Sequence, residues 1–253
     1  MKRILPRYFS SLLLACAVSA SHGTAFAQTP APAPAAMNPP PSAQLDYTIV
    51  ANQRGLPLNG TAILHWNSSK DRYSISTETR AMLLGKILEA KSEGAIDASG
   101  LAPHTSTEKR FRKNPTTATF NREARTITFS ASDVSYAIKG GEQDRNSVIW
   151  QLATMARSAP KKFKQGATIP MAVAGQKDVD PWAFKIGKPE TIKTALGSVK
   201  TVKVSKLIKD GGKEQKIDIW FAPAMEWYPV RLRFTEPEGD FIEQTVAKVT
   251  PQS

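Results

Sequence analysis

The chain is short of the side chains that most enzyme and metal-centre chemistry needs. Its 253 residues hold one cysteine, Cys16, and three histidines, His22, His65 and His104. A zinc site draws on more nitrogen and sulfur ligands than these, and neither an H-E-x-x-H helix nor a cysteine pair is present. Gly140-Gly141 lacks the further glycines, the lysine and the preceding parallel strand of a phosphate-binding loop. Ser147, between Asn146 and Val148, lacks a G-x-S-x-G elbow. His65 reads as an exposed strand residue and His104 as the start of a strand, so nothing local supports a Ser/His/Asp triad, although triads assemble in space. No catalytic residue, cofactor or metal is implied. Acidic residues are also few: 22 Asp and Glu against 34 Lys and Arg give a formal charge of +12.

Long apolar runs are missing too. Leu12 to Val18 is too short to span a bilayer. Preceded by Lys2, Arg3 and Arg7 and followed by Ala25-Phe26-Ala27, it makes residues 1–27 a secretory signal with cleavage expected before Gln28. The expectation is an exported, periplasmic protein with no transmembrane segment in the mature chain. Leu13-Leu14-Ala15-Cys16 loosely resembles a lipobox, so a lipoprotein anchored through Cys16 is the alternative; the cramped apolar stretch after Arg7 favours ordinary cleavage. On that reading the mature chain has no cysteine and must be stable without disulfides. Residues 28–43, QTPAPAPAAMNPPPSA, form a Pro/Ala-rich linker expected to be disordered or extended. Residues 44–250 form a single β-rich domain, long enough to bury a sizeable core.

What this domain has in abundance is alternation. Leu45, Tyr47 and Ile49 alternate with polar residues, as do Ala62, Leu64 and Trp66 after a turn expected over Gly55 to Gly60. Tyr73, Ile75 and Thr77 follow, and then short strands at His104 to Arg112, Thr117 to Asn121, Arg125 to Ser130 and Val134 to Ile138. Further on come Trp182, Phe184 and Ile186; Val202 and Val204; Ile217, Ile219 and Phe221 after an Asp210-Gly211-Gly212 turn; Val230, Leu232 and Phe234; and Phe241 to Val249. One convincing helix interrupts them within KGGEQDRNSVIWQLATM, Lys139 to Met155. Asp144 is placed to cap it, Val148, Leu152 and Met155 with Ile149, Ala153 and Ala156 form its apolar stripe, and Pro160 stops it. Many short strands with close turns and one interior helix predict a mainly β fold: a curled antiparallel sheet, an open or closed barrel, with the helix packed against it.

Several of these residues also carry a family resemblance. Glu93-Gly94 with Gly100-Leu101-Ala102-Pro103, Gln143-Asp144-Arg145-Asn146-Ser147-Val148 leading to Gln151-Leu152, and Asp218-Ile219-Trp220-Phe221-Ala222-Pro223 with Trp227-Tyr228-Pro229-Val230-Arg231 resemble the pattern of the bacterial exported family called domain of unknown function 3108. The resemblance covers nearly all of the domain and implies an envelope protein of β-rich fold. It carries no established activity or catalytic residues.

Three functional readings follow. The first is a non-enzymatic periplasmic binding or carrier protein for an apolar or amphiphilic envelope molecule such as a lipid, with Trp66, Tyr73, Leu83, Leu84, Trp182 and Trp220 as candidate ligand-binding residues. Leu83 and Leu84 belong to the apolar run 82–88, for which burial in the core is the commoner fate and an exposed lid or membrane-touching loop the alternative. The second is an envelope scaffold whose basic clusters bind an anionic wall polymer or a protein; the candidates are Lys109, Arg110 and Arg112 around Phe111, Lys161 and Lys162 beside Phe163, and Lys203. Their alternative is a solvated lysine surface. Export makes nucleic acid an implausible target. The third is a hydrolase using Glu142, Asp144 or Asp218, and it ranks last because no acid-base pair stands out.

Overall fold

Period-two alternation builds this fold strand by strand. In Ala43–Gln53 (β1), Ala43, Leu45, Tyr47, Ile49 and Ala51 are buried while Thr48 and Val50 face water, so one face of the strand is core and the other surface. The computed structural model describes residues 37–209 and 211–252. The expected secretory signal, Cys16 and the linker up to residue 36 lie outside the described residues.

From β1 the chain runs through Leu56–Ser68 (β2), Arg72–Ala81 (β3), Gly85–Asp97 (β4), Gly100–Arg110 (β5), Thr116–Asn121 (β6), Thr126–Phe129 (β7) and Ser132–Ala137 (β8), a meander on one side of β1. After Gln143–Asp144 (β9) and the helix Ser147–Ser158 (α1), a second meander follows: Thr168–Ala174 (β10), Val179–Thr194 (β11), Gly197–Lys206 (β12), Lys216–Ala222 (β13), Tyr228–Thr235 (β14) and Phe241–Pro251 (β15). Its last strand pairs with the free side of β1, Ala43 opposite Pro251. The two meanders thus form one 15-stranded sheet ordered 8-7-6-5-4-3-2-1-15-14-13-12-11-10-9. Pairing is antiparallel except between β9 and β10. Among the described residues β8 and β9 do not pair, so the curled sheet is open, with one helix against it as the sequence predicts.

The helix is the plug of this curl. Trp150 stacks on Trp66 of β2 with ring centroids 4.3 Å apart and planes 5° apart, and Trp66 stacks in turn on Tyr73 at 5.9 Å. Val148, Leu152, Ala153 and Ala156 join one core with residues of both meanders. The predicted stripe is therefore real but too narrow. Ile149 and Met155 are only half-buried, whereas Trp150, Gln151 and Thr154, outside the stripe, are buried because the sheet curls round more than one face of the helix. Asp144 is not the residue at the N-cap, which is Asn146; it is drawn into the sheet by pairing with Ala174. Its carboxylate still accepts the amides of Asn146 at 2.8 Å and Ser147 at 3.0 Å, so it satisfies the free donors it was expected to satisfy.

Two buried glutamines lock the helix segment to the β4–β5 hairpin. Gln151 accepts from the Leu101 amide at 2.8 Å and donates to the Ser99 carbonyl at 2.8 Å, and Gln143 donates to the Leu101 carbonyl at 2.7 Å. Gly100, at φ 112°, lies so close that a Cβ there would stand 2.2 Å from Gln151 Oε1. The family-like residues Gly100, Leu101, Gln143, Asp144, Ser147 and Gln151 thus form one buried joint.

Two expectations are corrected, and the tract before β1 gains a structural role. The apolar run 82–88 is not core: Met82, Leu83 and Leu84 form the tip of the β3–β4 hairpin, with Leu83 90% exposed. Only five residues separate the paired ends Ala81 and Gly85 inclusive, so the three between them are pushed beyond the ladder. Leu56 to Gly60 is strand rather than turn, because the reversal is completed at Arg54-Gly55, both at positive φ. From residue 37 on, the end of the Pro/Ala tract is tied to the domain. Trp66 Nε1 and Ser68 Oγ donate to the Pro40 carbonyl, each at 2.9 Å, Tyr228 donates to Pro41 at 2.9 Å, and Arg157 donates to Asn38 at 3.1 Å. Proline lacks an amide to donate but keeps its carbonyl, and these side chains use it.

Candidate functional site

The inner face of the second meander and the first turns of α1 do not close on each other completely. Between them lies a cleft of about 530 Å³. Trp182 and Phe184 of β11, Ile217 and Ile219 of β13 and Phe234 of β14 form its floor, and Val148 and Ile149 of α1 form a wall. The inward side chains of three strands make that floor because alternation places them all on one face. Arg110, Arg145, Lys206 and Lys209 contribute positive charge to the lining, and Asp180, Glu214 and Glu236 negative charge.

Lys206 is the most informative of these residues. It occupies the inward position after Val202 and Val204 in β12, where the alternation calls for an apolar side chain, and is only 7% exposed. Its ammonium donates to Glu214 at 2.6 Å and lies 4.8 Å above the Trp182 ring. The carboxylate and the ring offset the desolvation of the cation. Reciprocally, Lys206 holds the Glu214 carboxyl below its ordinary range. The lining thus sets an apolar floor beside seven charged side chains, so the cleft offers both apolar and polar contacts.

Of the six candidate ligand-binding residues only Trp182 lines this cleft. Trp66 and Tyr73 are sealed in the aromatic stack beneath the helix. Trp220 faces the opposite side of β13, where its indole donates to Glu190 at 2.6 Å and lies under Lys203 and Arg231. Leu83 and Leu84 stand at a hairpin tip in solvent. The basic candidates disperse as well. Arg110 reaches the cleft lining; Lys109 stands in β5 opposite Glu89 and Arg112 in the β5–β6 turn, neither in the lining; Lys161 and Lys162 are exposed beyond the C-terminus of α1. Lys203 is engaged by Asp218 at 3.4 Å and by the Trp220 face, which ties neighbouring strands together. Neither Lys206 nor Arg145 is among the candidate site residues of the sequence; the local signal for Lys206 is a lysine in register with Val202 and Val204.

The three carboxylates weighed for hydrolysis do not converge. Glu142 binds the amides of Lys139 and Gly140, and Asp218 lies on the outer face between Lys203 and Lys216. Asp144 is buried with Ser92, which donates to it at 2.6 Å and bonds Tyr73 at 3.1 Å. Burial raises the Asp144 pKa against the lowering effect of these bonds. Burial likewise pushes the Tyr73 hydroxyl up. Among the described residues no group of three or more His, Cys, Asp and Glu side chains is placed to hold a metal ion, and no helix is long and apolar enough to cross a membrane.

A family model described as "Protein of unknown function (DUF3108)" matches residues 45–246. No curated protein matches the sequence. Among solved structures, the chain is similar to a beta-barrel-like protein of domain of unknown function DUF1849 from Brucella abortus, with 11% identity, a TM-score of 0.56, and coverage of 85% of this chain and 99% of that one. This similarity shows the fold. A protein with a YmcC-like fold from Bacteroides fragilis aligns at 7% identity over 85% of this chain and 99% of its own, with a TM-score of 0.34, too low to add to the fold argument.

Proposed function

This chain belongs to the DUF3108 family of proteins of unknown function, and we propose that it acts as a non-enzymatic carrier of an amphiphilic molecule of the cell envelope, held in the cleft between α1 and β11–β14. The observation that carries this reading is the cleft itself. Its volume of about 530 Å³ falls in the range of small-molecule sites, roughly 300–1,000 Å³. Its floor is apolar side chains, and its rim sets Lys206 against Glu214. Trp66 and Trp150 are buried and stacked on each other, which supports the cleft rather than the space beneath the helix as the ligand's place. An exported, periplasmic location supplies such molecules, and the signal-like residues 1–27 support it.

The test is mass spectrometry of the protein purified gently from its own envelope fraction, first native and then after denaturation and solvent extraction. A discrete mass that is lost on denaturation and extracts as a lipid is the expected result. Ile149→Trp, which puts an indole into the cleft from its half-buried helix wall, should abolish that mass while leaving the fold intact. An unliganded parent that also fails to quench Trp182 fluorescence when titrated with a single-chain fluorescent amphiphile overturns the reading.

A further inference from the structure

Among the described residues, five of the eleven exposed large apolar side chains, including the three most exposed, stand on hairpin tips at one end of the sheet. The β1–β2, β3–β4 and β5–β6 hairpins are neighbours in the strand order and turn at the same end. Their tips carry Leu56, Met82, Leu83, Leu84 and Phe111, of which Leu83 is 90%, Met82 77% and Leu56 65% exposed. The tips are held in place: the Met82 amide donates to Asn59 at 3.0 Å and the Phe111 amide to Ile87 at 2.8 Å, each tying a tip to the neighbouring strand. A lone exposed leucine needs no explanation, but a row of apolar tips on three adjacent hairpins does.

The same end carries positive charge. Arg54 precedes Leu56, and Lys109, Arg112 and Lys113 surround Phe111; among the described residues none of these four makes a salt bridge. Arg112 lies 4.9 Å over the Phe111 ring. Acidic residues of this end are engaged close by: Glu78 and Glu89 bond Arg80 and Lys86 below the β3–β4 tip, Glu108 bonds Arg110, and Asp240 accepts the Arg54 amide at 2.8 Å, while the side chains of Lys109, Arg112 and Lys113 stay outside these pairs.

We propose that these three hairpin tips dock the protein on an anionic lipid bilayer, with Met82, Leu83 and Leu84 entering the acyl region and Lys109, Arg112 and Lys113 meeting headgroup phosphates. The charge complementarity selects this occupant: an apolar wedge with cations around it matches an anionic interface. The tips are separate projections rather than a groove, so they offer a peptide or helix no trough to lie in. The cleft also opens toward this end, since Arg110, Lys206, Lys209 and Glu236 all sit where β5, β12 and β14 meet their turns. Docking would bring its mouth to the membrane. The inference goes beyond the carrier reading and does not need it, because vesicle binding by a protein whose cleft holds nothing would leave docking intact.

The test is flotation of the protein with vesicles of phosphatidylglycerol and phosphatidylcholine, compared with phosphatidylcholine alone. The parent should float with the anionic vesicles and be released by salt. The triple change Met82→Ser, Leu83→Ser and Leu84→Ser should weaken binding at least about tenfold, since even partial burial of three such side chains in lipid is lost. Lys109→Gln, Arg112→Gln and Lys113→Gln together should weaken it and flatten its salt dependence. All parents and variants carry the same N-terminus, so any leader contribution cancels. Leu83→Trp supplies a readout independent of affinity: its emission should shift to the blue on anionic vesicles. A parent that stays in solution, a serine variant that floats like the parent, or an indole at position 83 that remains in water would each overturn the proposal. Capture of an envelope protein by the same tips without vesicle binding would overturn it in favour of a protein partner.

Discussion

Trp150→Ala removes the side chain on which the helix is seated. The ring is 1% exposed, lies flat on Trp66 at 4.3 Å and meets Tyr228 edge-on at 6.2 Å. Truncating a buried tryptophan costs about 3–5 kcal/mol, from lost transfer energy and from the cavity left behind. The stack with Trp66 supplies about 0.5–1.5 kcal/mol of this as a coupling that neither ring has alone. Against a total stability of roughly 5–15 kcal/mol, the loss is a large fraction of what holds the domain folded. Urea unfolding followed by far-UV circular dichroism measures it without depending on the indole removed. A cycle of Trp66→Leu, Trp150→Leu and the double change isolates the coupling. If Trp150→Ala lowers stability by less than about 1 kcal/mol, or the cycle closes without coupling, the helix does not plug the sheet. The cleft wall at Val148 and Ile149 would then lose its support.

Gly100→Ala should destabilise by at least about 1–3 kcal/mol, because the residue sits at φ 112° and its new Cβ would meet Gln151 Oε1 at 2.2 Å; a thermal melt unchanged from the parent would refute the packing of this joint. Asp144→Asn tests the buried carboxyl, since the amide keeps the oxygen that accepts from Asn146 and Ser147 and can donate to Ser92. Burial raises the folded pKa of Asp144 above the ordinary 3.8, so between the two values the native state binds more protons than the unfolded one. Stability of the parent therefore falls, relative to the Asn variant, as pH rises from 3.8 through that window. Chemical denaturation of both proteins across a pH series checks the sign, and a difference that grows in the parent's favour as pH rises would contradict it.

The family-like residues show why part of this arrangement was legible in the sequence and part was not. Gly100, Leu101, Gln143, Asp144 and Gln151 stood out together in the sequence, yet their common cause, hydrogen bonds between a helix and a distant hairpin, exists only after folding. The six ligand candidates of the sequence share only large apolar or aromatic side chains. A size criterion does not distinguish a ring sealed under a helix, Trp66, from one on a cleft floor, Trp182, or on the outer face, Trp220. The run at 82–88 shows the converse: its composition resembles core, but hairpin register between Ala81 and Gly85 expels its first three residues.

By itself the sequence determined the elements, because side-chain direction alternates along a strand and recurs every three to four residues along a helix, both local rules. It thereby specified a mainly β domain with one interior helix, and the family to which the chain belongs. Only the tertiary structure decided that β1 and β15 pair to join two meanders, that the helix fills the curl through Trp150, and that an unfilled space remains beside Val148 and Ile149. Those outcomes depend on strand order and on contacts between residues far apart in the chain, and no local pattern of side chains encodes them.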